Sequence, residues 1–107
     1  MKYKNTINKG SVRYIVFQDK EDKAWYAVAL EFNIVASDDD PRQALFALFE
    51  AISGYMESAR KIKAQPHILN QKIDPEYERI WSAVQEAQDQ KGVPYNIFTT
   101  GRQPIPA

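Results

Sequence analysis

The chain has 107 residues, the size of a single domain, and its 14 lysines and arginines balance 14 aspartates and glutamates, so no net charge attracts nucleic acid or an anionic membrane. It contains no cysteine, which excludes disulfide bonds, thiolate metal ligands and a cysteine nucleophile. No apolar run approaches the roughly 20 residues that span a bilayer, and residues 1–10 lack the apolar segment of a signal peptide, so we expect a cytoplasmic protein with no membrane segment.

The first predicted element is an antiparallel β-hairpin. Residues 11–18 are β-branched or aromatic almost without interruption, and residues 24–30 form a second such run. The five charged residues 19–23 between them predict a turn. Residues 34–37 predict a short third strand that leads directly into a helix.

Both faces of the predicted hairpin are apolar, whereas a face in contact with water is expected to be polar. We place two sets of side chains on opposite faces: Tyr14, Val16, Tyr26 and Val28 in one set, and Ile15, Phe17, Trp25 and Ala27 in the other. The helix that follows covers one of these faces. The other face needs either the later helix or a second copy of the chain, and we expect a second copy, which predicts a homo-oligomer.

A long helix is predicted over residues 40–61. Asp40 is a favourable N-cap, Pro41 suits the first helical position, and Gln43 completes a capping box. Apolar side chains then recur at the spacing of one helical stripe: Leu45, Leu48, Phe49, Ile52, Tyr55, Met56 and Ala59. Phe46 lies roughly 120° from that stripe on a helical projection, so we expect it to point outward, either as a contact residue or simply as an exposed side chain.

The C-terminal half is predicted to contain a loop, a second helix and a tail. Residues 62–73 have no periodicity, and Pro66 interrupts any continuing helix. Residues 74–91 repeat the Asp-Pro start of the first helix and carry a narrower apolar stripe. In the tail, residues 92–107, only residues 95–99 have the composition of a strand, and that strand would lie at an edge of the sheet.

Together these elements predict a single α+β domain over residues 1–107. Its core, residues 11–61, is an antiparallel sheet of three strands, or four if residues 95–99 join it, packed on the long helix. The helix at residues 74–91 is an extension of that core.

We find no catalytic, cofactor-binding or metal-binding motif in the sequence. Asp38, Asp39 and Asp40 are the densest carboxylate cluster and would suit a metal-dependent nuclease, but successive side chains point in different directions, and negative charge is favourable at a helix start. His67 is the only histidine and has no motif partner. The glycines stand too far apart for a phosphate-binding loop. We therefore expect a protein that is not an enzyme.

The stretch YAVALEFNIVASDDDPRQALFALFEAI, residues 26–52, together with the order of the elements, resembles the HicB antitoxin family. In that family a hairpin leads to a short strand, a cap of Asp-Thr type and a helix that opens with an acidic residue and alanine. Asp40 falls at the cap threonine, and Gln43 with Ala44 falls at the acidic residue and alanine. The likeness covers residues 12–61 and departs from the family between the second and third strands, where the usual proline and glycine are missing.

The resemblance implies a partial RNase H fold without catalytic carboxylates, and a protein that neutralises a small basic toxin of HicA type. Many HicB proteins add a DNA-binding module, but residues 74–91 predict a lone helix with an acidic polar side, so DNA binding is not expected. We expect the protein interface to contain Tyr14, Trp25, Tyr26 and Phe46. The alternative is a stand-alone domain of the same fold that acts as an oligomer or binds a small ligand.

Overall fold

A computed structural model describes residue 5 and residues 10–19, 21–63, 66–86 and 96–105. In chain order the elements are the strands β1 (Ser11–Gln18), β2 (Trp25–Ala29) and β3 (Ile34–Asp38), the helix α1 (Pro41–Lys61), a short 3-10 helix (Pro66–Leu69), the helix α2 (Pro75–Glu86) and the strand β4 (Asn96–Pro104). The two helices and the antiparallel sheet confirm the predicted α+β class. Residues 87–91 of the predicted second helix lie outside the described residues.

The sheet has four strands in the order β3-β2-β1-β4, and every neighbouring pair is antiparallel. A sheet of three strands is therefore wrong, and the four-stranded alternative is correct. β4 also includes residues 101–104, which the sequence placed in an extended tail. Residues 101–104 have weak β-propensity of their own, but they pair with the first four residues of β1, and β4 as a whole pairs with β1 from Ser11 opposite Pro104 to Gln18 opposite Asn96. Such pairing outweighs local propensity.

α1 begins where the sequence predicts. The Asp40 carboxylate accepts a hydrogen bond from the Arg42 N–H at 2.8 Å, and a proline occupies the first turn. The predicted capping box does not close, because the Asp40 N–H donates to Asp38 Oδ1 at 2.9 Å instead of to Gln43. Asp38 is favoured in this bond because its short side chain folds back onto the N–H two residues further on.

One face of the sheet is covered by α1, which lies mainly over β2 and β3 and to a lesser extent over β1. The buried core on this face consists of Val12, Val16, Ala27, Ala29, Phe32, Ala44, Leu48, Ile52, Met56, Ala59, Leu69 and Ile105. Of the predicted helical stripe, Leu45, Phe49 and Tyr55 lie at the border of this core and are only partly buried. Phe46 is 60 % exposed, as its position on the helix predicts.

The opposite face is covered by α2. Ile80 and Trp81 are buried there against the sheet residues Ile15, Phe17, Val28 and Leu30. The sequence left two ways to cover this face, and our preference for a second copy of the chain is wrong, because α2 of the same chain covers it. A homo-oligomer therefore has no support from this face.

The hairpin register also differs from the sequence assignment. Val16 pairs with Ala27 and Phe17 with Tyr26, and directly opposite residues point to the same face. Trp25 therefore lies on the α1 face, whereas Tyr26 lies on the α2 face. The sequence assignment had placed even-numbered residues of the two strands on the same face. Six residues, 19–24, separate the strands, and with an even number between them each even-numbered residue of β1 pairs with an odd-numbered residue of β2.

An ion-pair network on β1 joins α2 to the sheet. The Arg13 guanidinium donates to Glu31 Oε2 at 2.6 Å and to the two carboxylate oxygens of Glu78 at 2.7 and 2.9 Å. It also lies over the Trp81 ring, 5.4 Å from the centroid. The hydrogen bonds with Glu78, and then those with Glu31, raise the pKa of Arg13. Since the side chains of Arg13 and Glu31 are only 14 % and 17 % exposed, removing one leaves the other poorly solvated.

Asn5 is held within the fold by hydrogen bonds to residues far along the chain. It is 1 % exposed, and its side chain donates to the Leu69 carbonyl and accepts from the Ser11 N–H. Gly10 has a φ of 124° and approaches Asn5 so closely that no side chain fits there. The packed domain therefore extends beyond the predicted core, from Asn5 to Ile105.

We expect Arg13→Ala to lower the free energy of unfolding by about 2 kcal/mol, less than for a fully buried pair because Glu78 remains partly exposed. The measurement is urea denaturation at neutral pH. Arg102→Ala is the matched control, since Arg102 also lies over Trp81, at 5.6 Å, but has no salt bridge to a described residue. Equal losses in the two variants would show that the glutamates contribute nothing.

Candidate interaction surface

The acidic residues that precede α1 are engaged in backbone capping. Asp38 accepts from the Asp40 N–H, and Asp40 accepts from the Arg42 N–H, which lowers the pKa of Asp40. Among the described residues, no group of three or more histidines, cysteines, aspartates or glutamates is placed to hold a metal ion. The side chain of His67 lies outside the described part of the chain.

Five aromatic side chains lie on the α1 side of the sheet, and four of them form two contacting pairs. Tyr14 of β1 packs edge-to-face on Phe49 of α1, with ring centroids 5.2 Å apart, and Trp25 of β2 packs on Phe98 of β4 at 6.2 Å. Phe46 lies one helical turn before Phe49, where side chains three apart are neighbours. Phe98 is 43 % exposed. We call these five residues the aromatic surface.

Gly101 allows Tyr14 to lie across β4. The two residues are directly opposite on β1 and β4, and a Cβ built at position 101 would lie 2.5 Å from the Tyr14 hydroxyl and 2.7 Å from Cζ of its ring. Any side chain at this position would therefore displace the tyrosine. The edge of the aromatic surface depends on this glycine.

Three of the four predicted interface residues, Tyr14, Trp25 and Phe46, lie in the aromatic surface. Tyr26 does not: it packs on Phe17 on the α2 face, with ring centroids 5.9 Å apart. Its hydroxyl donates to the exposed Asp22 carboxylate, and this bond raises the pKa of Tyr26 and lowers that of Asp22. Phe98 also lies in the aromatic surface but is not among the residues that the sequence proposed; its only signal was an aromatic residue in the weak strand predicted at residues 95–99.

An acidic end of the molecule adjoins the aromatic surface. Trp25 pairs with Gln18 on one side and with Asp38 on the other, so the β1–β2 turn and the β3–α1 connection share one end of the sheet. Six carboxylates lie in these two connections: Asp19, Glu21, Asp22, Asp38, Asp39 and Asp40. The described basic residues there are Lys23 and Arg42, and Arg42 lies 3.5 Å from Asp40.

The opposite end of the molecule is basic. Arg60, Lys61 and Lys63 lie at or just after the C-terminal end of α1, and Arg102 lies near the end of β4. Arg60 and Lys61 line the same cavity as Gln103 of β4, which places the ends of the two elements side by side. The described acidic side chains at this end are Glu57, which lines the same cavity, and Glu31 and Glu78, which are paired with Arg13.

Two cavities accompany these surfaces. The larger, of about 630 Å³, lies between the last turns of α1 and the end of β4 and is lined by Ile52, Ser53, Met56, Glu57, Arg60, Lys61, Gln103 and Pro104. The smaller, of about 370 Å³, surrounds Arg13. The guanidinium and carboxylates of the smaller cavity are paired with one another, so that cavity is part of the network that holds α2.

Within the described part of the chain, neither helix combines the length and the apolar character needed to cross a membrane. Comparison of the chain with protein-family models, with curated proteins and with solved structures gave no match.

We expect Gly101→Ala to lower the free energy of unfolding by about 1–3 kcal/mol, because the new methyl group overlaps the Tyr14 ring. In a Tyr14→Ala background the same substitution should cost clearly less, since the ring is gone. The double-mutant cycle is measured by urea denaturation.

Gly54→Ala is the control for this cycle. No atom lies within 4 Å of a Cβ built at Gly54 on α1, so this variant should gain up to about 1 kcal/mol of helix stability. Additive losses at positions 14 and 101 would contradict the contact between them.

Proposed function

We propose that this chain is a non-catalytic protein-interaction domain of HicB antitoxin type, which binds and neutralises a small basic toxin protein of HicA type. The observation that supports the proposal is the position of the acidic end beside the aromatic surface. Exposed aromatic side chains next to a concentrated negative charge are suited to a partner that offers an apolar patch within a basic surface.

The aromatic surface would contribute most of the binding free energy. Burying Phe46 in an interface contributes roughly 1.5–3 kcal/mol, because most of its ring is in contact with water in the free chain. The neighbouring Phe49 already packs edge-to-face on Tyr14 in the free chain. Its side chain would therefore lose less conformational entropy on binding than an unpacked side chain.

The acidic end would steer and orient the partner. Its carboxylates lie in two turns on the surface, where they act mainly on the association rate and on the choice of partner. Glu21 and Asp39 are the most useful of these for a test, because no described hydrogen bond uses their carboxylates. The other carboxylates at this end are needed for capping or turn geometry.

The HicB-like and partial RNase H-like assignment is part of this proposal and rests on the resemblance over residues 12–61. Two features of the fold agree with it: β3 leads directly into a capped helix, and Ala44 at the position of the family alanine is fully buried against the sheet. The capping roles of Asp38 and Asp40 support a non-catalytic reading of the acidic triplet.

The second candidate function is that of a stand-alone domain that binds a small ligand. The observation that favours it is the cavity of about 630 Å³, which has the size of a small-molecule site and combines apolar residues such as Met56 with the charged Glu57 and Arg60. On this alternative no toxin partner exists, and the cavity is the functional site.

The test is recovery of partners by the tagged full-length chain, expressed at its native level in its own host. We expect a small basic protein in stoichiometric amount, whose toxicity on separate expression is relieved by co-expression of this chain. Phe46→Ser should weaken binding of the purified partner at least tenfold, because it removes the main anchor. Val35→Ser is the matched control, since Val35 is similarly exposed, at 46 %, but lies on the α2 face.

Charge variants test the acidic end separately. Glu21→Lys with Asp39→Lys should slow association, whereas Glu57→Lys with Glu86→Lys, which changes the charge equally elsewhere, should not. Recovery of the tagged chain alone would overturn the proposed function. So would a partner whose binding is unaffected both by Phe46→Ser and by Glu21→Lys with Asp39→Lys.

A further inference from the structure

β4 is an edge strand whose outer side is unpaired by any described strand. The Arg13 carbonyl accepts from the Leu30 N–H, so the backbone groups of Arg13 point toward β2. In an antiparallel ladder, the residue opposite such a position points its own backbone groups the other way. Arg102 opposite Arg13, and Thr100 opposite Ile15, therefore direct their N–H and C=O groups away from the sheet.

The two edges of the sheet are unequally protected. β3 is five residues long, ends in the charged Asp38 and is followed at once by α1. β4 is nine residues long, and its only charged residue is Arg102. An edge strand is usually protected against pairing with another chain by being short or by carrying charged residues. β4 is long and carries a single charge, so it has little protection of this kind.

From this edge and the charges around it we infer that β4 pairs with β4 of a second copy of the chain, antiparallel, about a two-fold axis near Thr100. The product is a symmetric dimer with a continuous eight-stranded sheet. The interface uses the same edge of both copies, so it closes on itself and does not propagate into a fibre. This inference goes beyond the proposed function, because it needs no second kind of protein.

Charge complementarity selects the second copy and the antiparallel direction. β4 begins beside the acidic end, with Asn96 opposite Gln18, and it ends beside the basic end, with Gln103 near Lys61. Antiparallel pairing therefore places the acidic end of each copy beside the basic end of the other, and the two-fold axis makes this contact twice. Parallel pairing would place like charges together.

Among the described residues, the two helices do not cover the outer side of this edge. On one face α1 lies mainly over β2 and β3, and its last turns approach β4 at Gln103 and Pro104. On the other face α2 approaches β4 through Gln85, which donates to the Thr100 hydroxyl at 3.3 Å, and through Trp81 beside Arg102. These are side-chain contacts above the sheet, so they leave the outward backbone groups of Thr100 open to a second strand.

The first test is the mass of the full-length chain in solution by light scattering at low salt. We expect twice the 12.3 kDa mass of one chain. Thr100→Pro should give a monomer, because proline removes an outward N–H without touching the ladder to β1. Thr100→Ala is the matched control: it removes the hydroxyl, keeps the N–H and should remain dimeric. A monomeric wild-type chain, or a dimeric and folded Thr100→Pro variant, would overturn the inference.

A second test does not depend on the folding of the proline variant. Glu21→Lys with Asp39→Lys reverses charges at the acidic end, and Lys61→Glu with Lys63→Glu reverses charges at the basic end. Each doubly substituted chain alone should dimerise at least tenfold more weakly, because the substitutions cancel the charge of one of its two ends and so remove both attractive contacts of the symmetric dimer. An equal mixture of the two should form a heterodimer, since the unchanged basic end of one copy then meets the unchanged acidic end of the other. Failure of the mixture to associate would contradict the antiparallel arrangement.

The dimer and the binding of a basic partner can be tested independently of each other. Phe46 lies on α1, away from the β4 edge, so Phe46→Ser should weaken binding of the partner and leave the dimer intact. Amide hydrogen exchange at Thr100 and Arg102 should slow with increasing concentration of the wild-type chain, in the absence of any partner. Exchange that is independent of concentration at both amides would exclude pairing at this edge, whatever the outcome for the toxin partner.

Discussion

β1 is hydrogen-bonded along both edges and covered on both faces, and the positions of the other elements follow from this constraint. Its backbone pairs with β2 and with β4, Val12 and Val16 are buried under α1, and Ile15 is buried under α2. A strand buried on both faces is expected to be apolar along nearly its whole length, and the sequence of β1 has this composition. The one charge on its inner length, Arg13, requires two glutamates from other parts of the chain.

The two helices pack on opposite faces of the sheet and cover its strands unequally. α1 follows directly from β3 and lies mainly over β2 and β3. α2 packs on β1 and β2 through Ile80 and Trp81, and the Arg13 network joins it to β1. No residue of β4 is fully buried, and Phe98 is 43 % exposed, so β4 is the strand that the described helices cover least.

Five aspartates of the described chain share one kind of local hydrogen bond. Asp19, Asp22, Asp38, Asp40 and Asp74 each accept a hydrogen bond from the N–H two residues further on. Carboxylates used in this way start helices and close turns, and they do not converge on a common point. Because two of these turns lie at the same end of the sheet, local capping also produces a concentrated negative charge.

The sequence by itself determined the elements whose signals are local. The hairpin, the Asp40 cap, the burial of Leu48 and Ile52 and the outward position of Phe46 follow from propensity and periodicity, which depend on neighbours in the chain. Tyr14, Trp25 and Phe46, which the sequence proposed for an interface, lie in the aromatic surface, and their role there stays a prediction. Only the tertiary structure decided the faces of the hairpin, because side-chain direction depends on the register across the turn.

The same holds for β4 and for the separation of charge. Phe98 belongs to the aromatic surface because β1 pairs with a segment of weak propensity, and six carboxylates form one end because Trp25 aligns two distant turns. No pattern within a short stretch of sequence predicts which strands pair or in which register. Strand pairing joins residues far apart in the chain, and its free energy comes from contacts that exist only after the chain has folded.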